Sequence, residues 1–185
     1  MKKNRAGQAE PLTKQSFKRV YYALENLTYK TIFSIAWYTA ERPGAILKLT
    51  VEDVYAAGVP REVIVFPSRI RKDRKTREVP VSKQLKPILQ KYEVPLEGWL
   101  FPSPADPLKS LGMRAYQGYL SRKFKELGMV GYSTYSTRRG AITELARAGL
   151  GVRQIQAISG HADLASLQRY IEVDPDQVRR GMELL

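Results

Sequence analysis

Apolar positions along the chain follow two rhythms, and the helical one dominates. The Leu12, Thr13 pair opens a helical stretch that runs through LENLTYK. YKTIFSIAWYT then carries apolar residues on nearly every face, which predicts a buried helix ending near Glu41, ahead of Pro43. A further helical piece, AILKLTVEDV, follows. The rhythm changes at REVIVFPSRI, rich in β-branched residues, and at REVPVS, which alternates like a strand. Together they predict an antiparallel hairpin whose turn, RKDRKT, is strongly charged. Pro, Gly and Ser gather from Pro95 to Gly112 and predict a surface connection. Helical spacing returns in MRAYQGYLSRKFKELG, stopping at Gly128, and in AITELARAG, for which Thr134 to Thr137 offer capping hydroxyls and Gly149 an end. VRQIQAIS predicts a shorter helix with Val152, Ile155 and Ile158 on one side, and one short helix fits between His161 and Tyr170. In DPDQVRRGMELL, Asp174 serves as cap and Pro175 as first helical residue. The fold class is therefore α+β, mostly α-helical with a small antiparallel β-sheet.

Composition narrows the partners. A chain of 185 residues with 43% apolar positions can bury one proper core. Thirty-one Lys and Arg against 18 Asp and Glu give a net charge of +13, which calls for a polyanion, with nucleic acid the leading candidate. An anionic membrane is the rival, yet the longest apolar run, TIFSIAWYTA, is too short to span a bilayer. The MKKNR start leads into polar AGQAEPLTKQ, unlike a secretion signal. No cysteine and a single histidine exclude a disulfide scaffold and leave little for a soft-metal site, and no close acidic cluster suggests magnesium. The expectation is a cytoplasmic protein that uses no cofactor and touches no membrane.

Candidate chemistry rests on a few polar residues. RIRKDRKTR, from Arg69 to Arg77, holds six basic residues in nine. It reads either as a solvated tip that grips a nucleic-acid backbone without selectivity, or as the holder of one lysine at a scissile phosphate. Arg138 and Arg139 stand at a predicted helix start, where free N–H groups and the helix dipole favour an anion; surface or salt-bridge roles are the alternative. Arg42 sits between an apolar helix and the Pro43, Gly44 turn. His161 lies 23 residues after Arg138, and Tyr170 nine further on.

At these residues the chain resembles the tyrosine recombinases of the phage integrase type. YTAERPGAILKLTVEDVY is similar to the family's segment around its first catalytic arginine, which implies that role for Arg42. VIVFPSRIRKDRKTREVPVS resembles the hairpin that carries the catalytic lysine, implying Lys72, with Lys75 the alternative. LFPSP is a further landmark, and YSTRRGAITELARAGLGVRQIQAISGHADLASLQRYIEV matches the segment holding the second arginine, the Gly-His pair and the nucleophile: Arg138, His161 and Tyr170. Two slots depart from the pattern. Tyr135 stands where the family has histidine, and a phenol cannot accept a proton near neutral pH as imidazole does. Ala45 stands where a bracing glutamate is common.

The resemblance implies a recombinase catalytic domain over 12–173, a disordered basic lead-in over 1–11 and a subunit-docking C-terminal helix over 174–185. It also implies double-stranded DNA as partner, a homo-tetramer assembled on it through that helix, and cleavage through a 3′-phosphotyrosyl link without metal or nucleotide. In that scheme Arg42, Arg138, His161 and Tyr135 contact the phosphate, Lys72 protonates the leaving oxygen and Tyr170 attacks. Arg69, Arg71, Arg74, Lys75, Arg77 and Arg139 are candidates for DNA contacts. The chain starts about where the family's catalytic domain starts, so an excised piece or a short natural version is expected. A non-catalytic DNA-binding relative, motivated by Tyr135 and Ala45, and a type IB topoisomerase are the alternatives.

Overall fold

A computed structural model describes residues 9–168 and 175–183 of the chain. The order is α1 (Lys14–Ala23), α2 (Leu27–Thr39), α3 (Pro43–Ile46), α4 (Val51–Val54), β1 (Tyr55–Ala56), β2 (Val59–Pro60), β3 (Val63–Phe66) and β4 (Arg77–Pro80). There follow α5 (Lys86–Gln90), β5 (Pro102–Ser103), β6 (Asp106–Ser110), α6 (Met113–Glu126), α7 (Ser136–Arg147), α8 (Val152–Ser159), α9 (Leu164–Gln168) and α10 (Pro175–Met182).

Helix α2 is the axis of the core. Eight of its 13 residues are buried, Ile32, Phe33, Ile35 and Trp37 among them, as its all-round apolar pattern requires. Phe17 of α1 stacks on Phe33 and Trp37, with ring centroids 5.2 and 4.6 Å away. The expected single helix from Thr13 through LENLTYK is two helices. Thr13 caps α1 reciprocally with Ser16, and Asn26 Oδ1 accepts from Tyr29 N at 3.2 Å to start α2 afresh. AILKLTVEDV is likewise split, because Thr50 and Asp53 form a second start signal: Thr50 N donates to Asp53 Oδ2 at 2.9 Å.

The predicted hairpin is β3 against β4, antiparallel, with Val63 opposite Pro80 and Phe66 opposite Arg77. Two more two-stranded antiparallel ladders, β1–β2 and β5–β6, are found among the described residues. The last lies inside the expected surface connection, which is also stitched to the core where Leu100 N donates to Leu49 O at 2.8 Å. Residues 9–11 of the expected disordered lead-in are docked: Ala9 is buried, and Glu10 N donates to Gly131 O at 2.9 Å. Residues 1–8 and Asp174, the expected cap of α10, lie outside the described residues.

Helix α7 crosses α2 closely enough that Gly140 is a steric requirement. A Cβ there would collide with Leu12 O and lie 2.8 Å from both Leu12 N and Trp37 Cζ3. Two of these are backbone atoms held by Leu12 N donating to Ser136 O at 3.1 Å, so they cannot step aside. Gly140→Ala should therefore cost about 1–3 kcal/mol as overpacking, despite alanine's better helix propensity, measured by urea unfolding.

Candidate active site

The site forms where two helix ends meet the basic hairpin. Helices end with carbonyls that lack an intrahelical partner. Helix α2 stops at Ala40, whose φ of 51° turns the chain sharply, and α8 stops at Gly160, with φ 64°. Three buried arginines, one each from the hairpin turn, β4 and α7, meet these carbonyls. Arg77 donates to Thr39 O at 3.0 Å and to Ile158 O. Arg138 donates to Ala40 O at 2.5 Å and Ser159 O at 3.0 Å. Arg71 donates to Gly160 O at 3.4 Å. Cations are well placed at helix C-termini on electrostatic grounds.

One carboxylate stands among them. Glu41, 1% exposed, places Oε2 3.3 Å from Arg71 Nε and 3.1 Å from Arg77 Nη2, and Oε1 3.7 Å from Arg138 Nη1. Its Oε1 also accepts from Arg42 N at 2.7 Å, fixing the next residue as the N-cap position of α3. Arg77 remains a cation despite its burial, which lowers its pKa to about 10 against the opposing pull of Glu41.

Outside this buried layer lies an open cavity of about 290 Å³, lined by Arg42, Lys72, Asp73, Gly160, His161, Ala162 and Asp163. Arg42 is half-buried and Lys72 exposed. Of the two lysines considered, Lys72 lines the cavity and Lys75 is not among its lining residues. His161 is 7% exposed; Arg138 Nη2 stands 3.2 and 3.1 Å from its two ring nitrogens, and Ser159 Oγ lies 2.7 Å from Nδ1.

Burial, then the neighbouring Arg138 and Arg42, push the His161 pKa down to about 4, with Asp163 opposing weakly. The ring is neutral at pH 7 and offers one N–H and one acceptor nitrogen. The unfolded chain takes up this proton near pH 6.5 and the folded one only near 4, so protonation favours the unfolded chain. Stability linked to His161 is therefore complete above pH 6.5 and falls as pH drops toward 4. Urea titrations across that window should show a steeper loss for the wild type than for His161→Gln.

The structure thus brings together Arg42, Lys72 and His161 at one cavity, with Arg138 immediately behind His161. Tyr135 is not with them: it is 47% exposed at the start of α7 and absent from the cavity lining. Tyr170 lies outside the described residues, two positions beyond the end of α9, which is anchored by fully buried Leu167. Among the DNA-contact candidates, Arg69, Arg74 and Lys75 are exposed. Arg71, Arg77 and Arg139, the other three candidates, are buried, 5, 8 and 6% exposed. For the first two the reason is the helix-end carbonyls and Glu41, which take their donors inward.

Glu41 was not a sequence candidate, and neither was Ser159. The one signal for Glu41 is an acid at the end of an apolar helix, where the helix dipole disfavours it unless cations are gathered there. Among the described residues no group of three or more His, Cys, Asp or Glu is placed to hold a metal ion, and no helix is long and apolar enough to cross a membrane.

Residues 10–177 match the profile of the phage integrase family. Over 168 residues the chain is 30% identical to a shufflon-specific DNA recombinase of Escherichia coli, covering 89% of this chain and 40% of that protein. It is 23% identical over 175 residues to the tyrosine recombinase XerA of Pyrococcus horikoshii, covering 93% of this chain and 60% of XerA. Among solved structures, XerA recombinase superposes with a TM-score of 0.75 at 21% identity over 98% of this chain and 65% of that one. The Tn1549 transposon integrase, in complex with a circular intermediate DNA, superposes at 0.77 with 16% identity over 99% of this chain and 68% of that one. The expected recombinase catalytic-domain fold is the one observed.

Proposed function

The chain belongs to the phage integrase family, and from that premise we propose that it is the strand-cleaving and strand-joining domain of a site-specific DNA recombinase. One observation carries the reading: Arg42, Lys72 and His161, distant in sequence, line a single cavity. Attack on a phosphodiester adds negative charge to an already charged group, so fixed cations aimed at the non-bridging oxygens lower the barrier most. Arg42 supplies such a cation at the cavity wall, and Arg138 supplies a second behind His161. The phenolate oxygen of Tyr170 bonds to phosphorus as the bond from phosphorus to the 5′ oxygen breaks, and Lys72 gives its proton to that leaving oxygen. The 3′-phosphotyrosyl link conserves the bond energy. A 5′ hydroxyl attacking in reverse releases Tyr170 and returns the proton. Neutral His161 donates a hydrogen bond to the phosphate rather than a charge.

Double-stranded DNA is the proposed partner, in keeping with relatives described as DNA recombinases and with solved XerH structures bound to difH substrate. Assembly as a homo-tetramer on that DNA, through α10, and action in the cytoplasm belong to the same proposal. The test is a library of nicked duplexes that trap the cleaved state. We expect a protein–DNA adduct that survives denaturing electrophoresis and maps by peptide mass spectrometry to Tyr170. Binding without an adduct would instead support a non-catalytic DNA-binding relative, the reading favoured by the exposed Tyr135.

A further inference from the structure

We propose that Arg71 is a positioning residue that holds Lys72 in the cavity by bolting the hairpin tip to the loop preceding His161. The proposal rests on the strand-cleavage reading above and adds a residue to it. The tip, which projects beyond the paired strands ending at Phe66 and Arg77, carries five basic residues: Arg69, Arg71, Lys72, Arg74 and Lys75. Left to mutual repulsion, such a turn samples many conformations, and an exposed lysine on it is rarely at any one place.

Arg71 is the exception on this turn, 5% exposed and held on several sides. Its Nη1 donates to Lys75 O at 3.0 Å and its Nη2 to Asp73 Oδ2 at 2.9 Å, so a single fork grips the chain on the far side of Lys72. The same guanidinium reaches out of the hairpin, with Nη2 donating to Gly160 O at 3.4 Å and Nε 3.3 Å from Glu41 Oε2. Gly160 makes this approach possible, since a Cβ at that position would collide with Arg71 Nη2. Lys72 is therefore tethered, through its immediate neighbour, to the residue next to His161 and to the carboxylate next to Arg42. A planar fork does this and an ammonium cannot, because the contacts diverge from one rigid group.

The experiment compares two substrates that differ in one atom at the scissile phosphate: a 5′-bridging oxygen and a 5′-bridging sulfur. An alkoxide needs a proton to leave, whereas a thiolate, whose conjugate acid ionises near pH 8.5, leaves without one. We expect Arg71→Lys to cleave the oxygen substrate ~10²-fold more slowly than wild type, the low end for loss of a general acid. Its rate on the sulfur substrate should stay within about threefold of wild type, as should that of Lys72→Ala. General damage to the site would slow both substrates alike. Equal losses on the two substrates in Arg71→Lys, with Lys72→Ala rescued by sulfur, would overturn the positioning role alone. Failure of sulfur to rescue Lys72→Ala would overturn the lysine's role and the proposal with it, and the absence of any wild-type adduct would overturn the cleavage reading itself. Should Arg71→Lys not fold, Asp73→Ala, which removes a partly buried acceptor of the same fork, decides by the same ratio: a raised sulfur-to-oxygen ratio supports the proposal and an unchanged one overturns it.

Discussion

Glu41→Ala should lower the free energy of unfolding by about 3–5 kcal/mol, the range for removing one partner of a buried ion pair. The carboxylate is 1% exposed and faces three guanidinium groups that are themselves 3–8% exposed. Without it Arg71 still has Asp73, but Arg77 is left with carbonyl acceptors for its Nη1 and Nη2 among the described residues, which meet neither its Nε nor its charge. Water cannot easily do the same work in so enclosed a layer. Glu41→Gln should recover little, because it keeps the volume and removes the charge. Exposed pairs such as Lys109–Asp106 set the contrast, with contributions of about 0–1 kcal/mol. Urea unfolding at pH 7 measures both variants. A loss below about 1 kcal/mol for Glu41→Ala would place this carboxylate with the surface pairs and remove its role as the centre's counter-ion.

Much of the backbone could be read from the chain because its signals are local. The apolar saturation of YKTIFSIAWYT, the alternation in REVPVS and the glycines at 128, 149 and 160 each constrain a few neighbouring residues, and helices α2, α6, α7 and α8 and the β3–β4 hairpin follow them. Restarts were harder to see. Asn26 and Thr50 break runs whose periodicity continues through the break, because a capping side chain competes with a helix that pattern alone would extend.

The outer wall of the site was legible for a different reason. Arg42, Lys72 and His161 lie in motifs shared with a family, and the fold converges them. The inner layer was not legible, since a charge run looks the same whether its arginines point out or in. Arg71 and Arg77 turn inward because helix ends elsewhere in the chain present carbonyls to them, contacts made 38 to 89 residues away in sequence. Ala45, where the family commonly has glutamate, is itself buried, and the acid next to Arg42, Glu41, meets that arginine through its backbone N while its carboxylate faces Arg71, Arg77 and Arg138.

Arg42→Ala should slow single-turnover cleavage by ~10²–10³-fold, the loss typical of removing one group aimed at charge that develops in the transition state. Affinity for the same DNA should change far less, because a cationic face contacts many phosphates and the scissile one is a single member of that set. The split distinguishes an arginine that answers the added charge of the pentavalent state from one that merely attracts DNA, since the latter would raise Kd and leave the rate of bound complexes intact. Arg42→Lys should recover only part of the rate, because an ammonium keeps the charge but cannot present two parallel N–H groups to two non-bridging oxygens. The backbone N–H of Arg42 would still donate to Glu41 in either variant, so the N-cap of α3 and the buried layer beneath it stay in place. Equal rate losses with unchanged Kd in Arg42→Ala and Arg42→Lys would assign the effect to fork geometry, whereas full recovery in Arg42→Lys would reduce Arg42 to a point charge at the cavity wall.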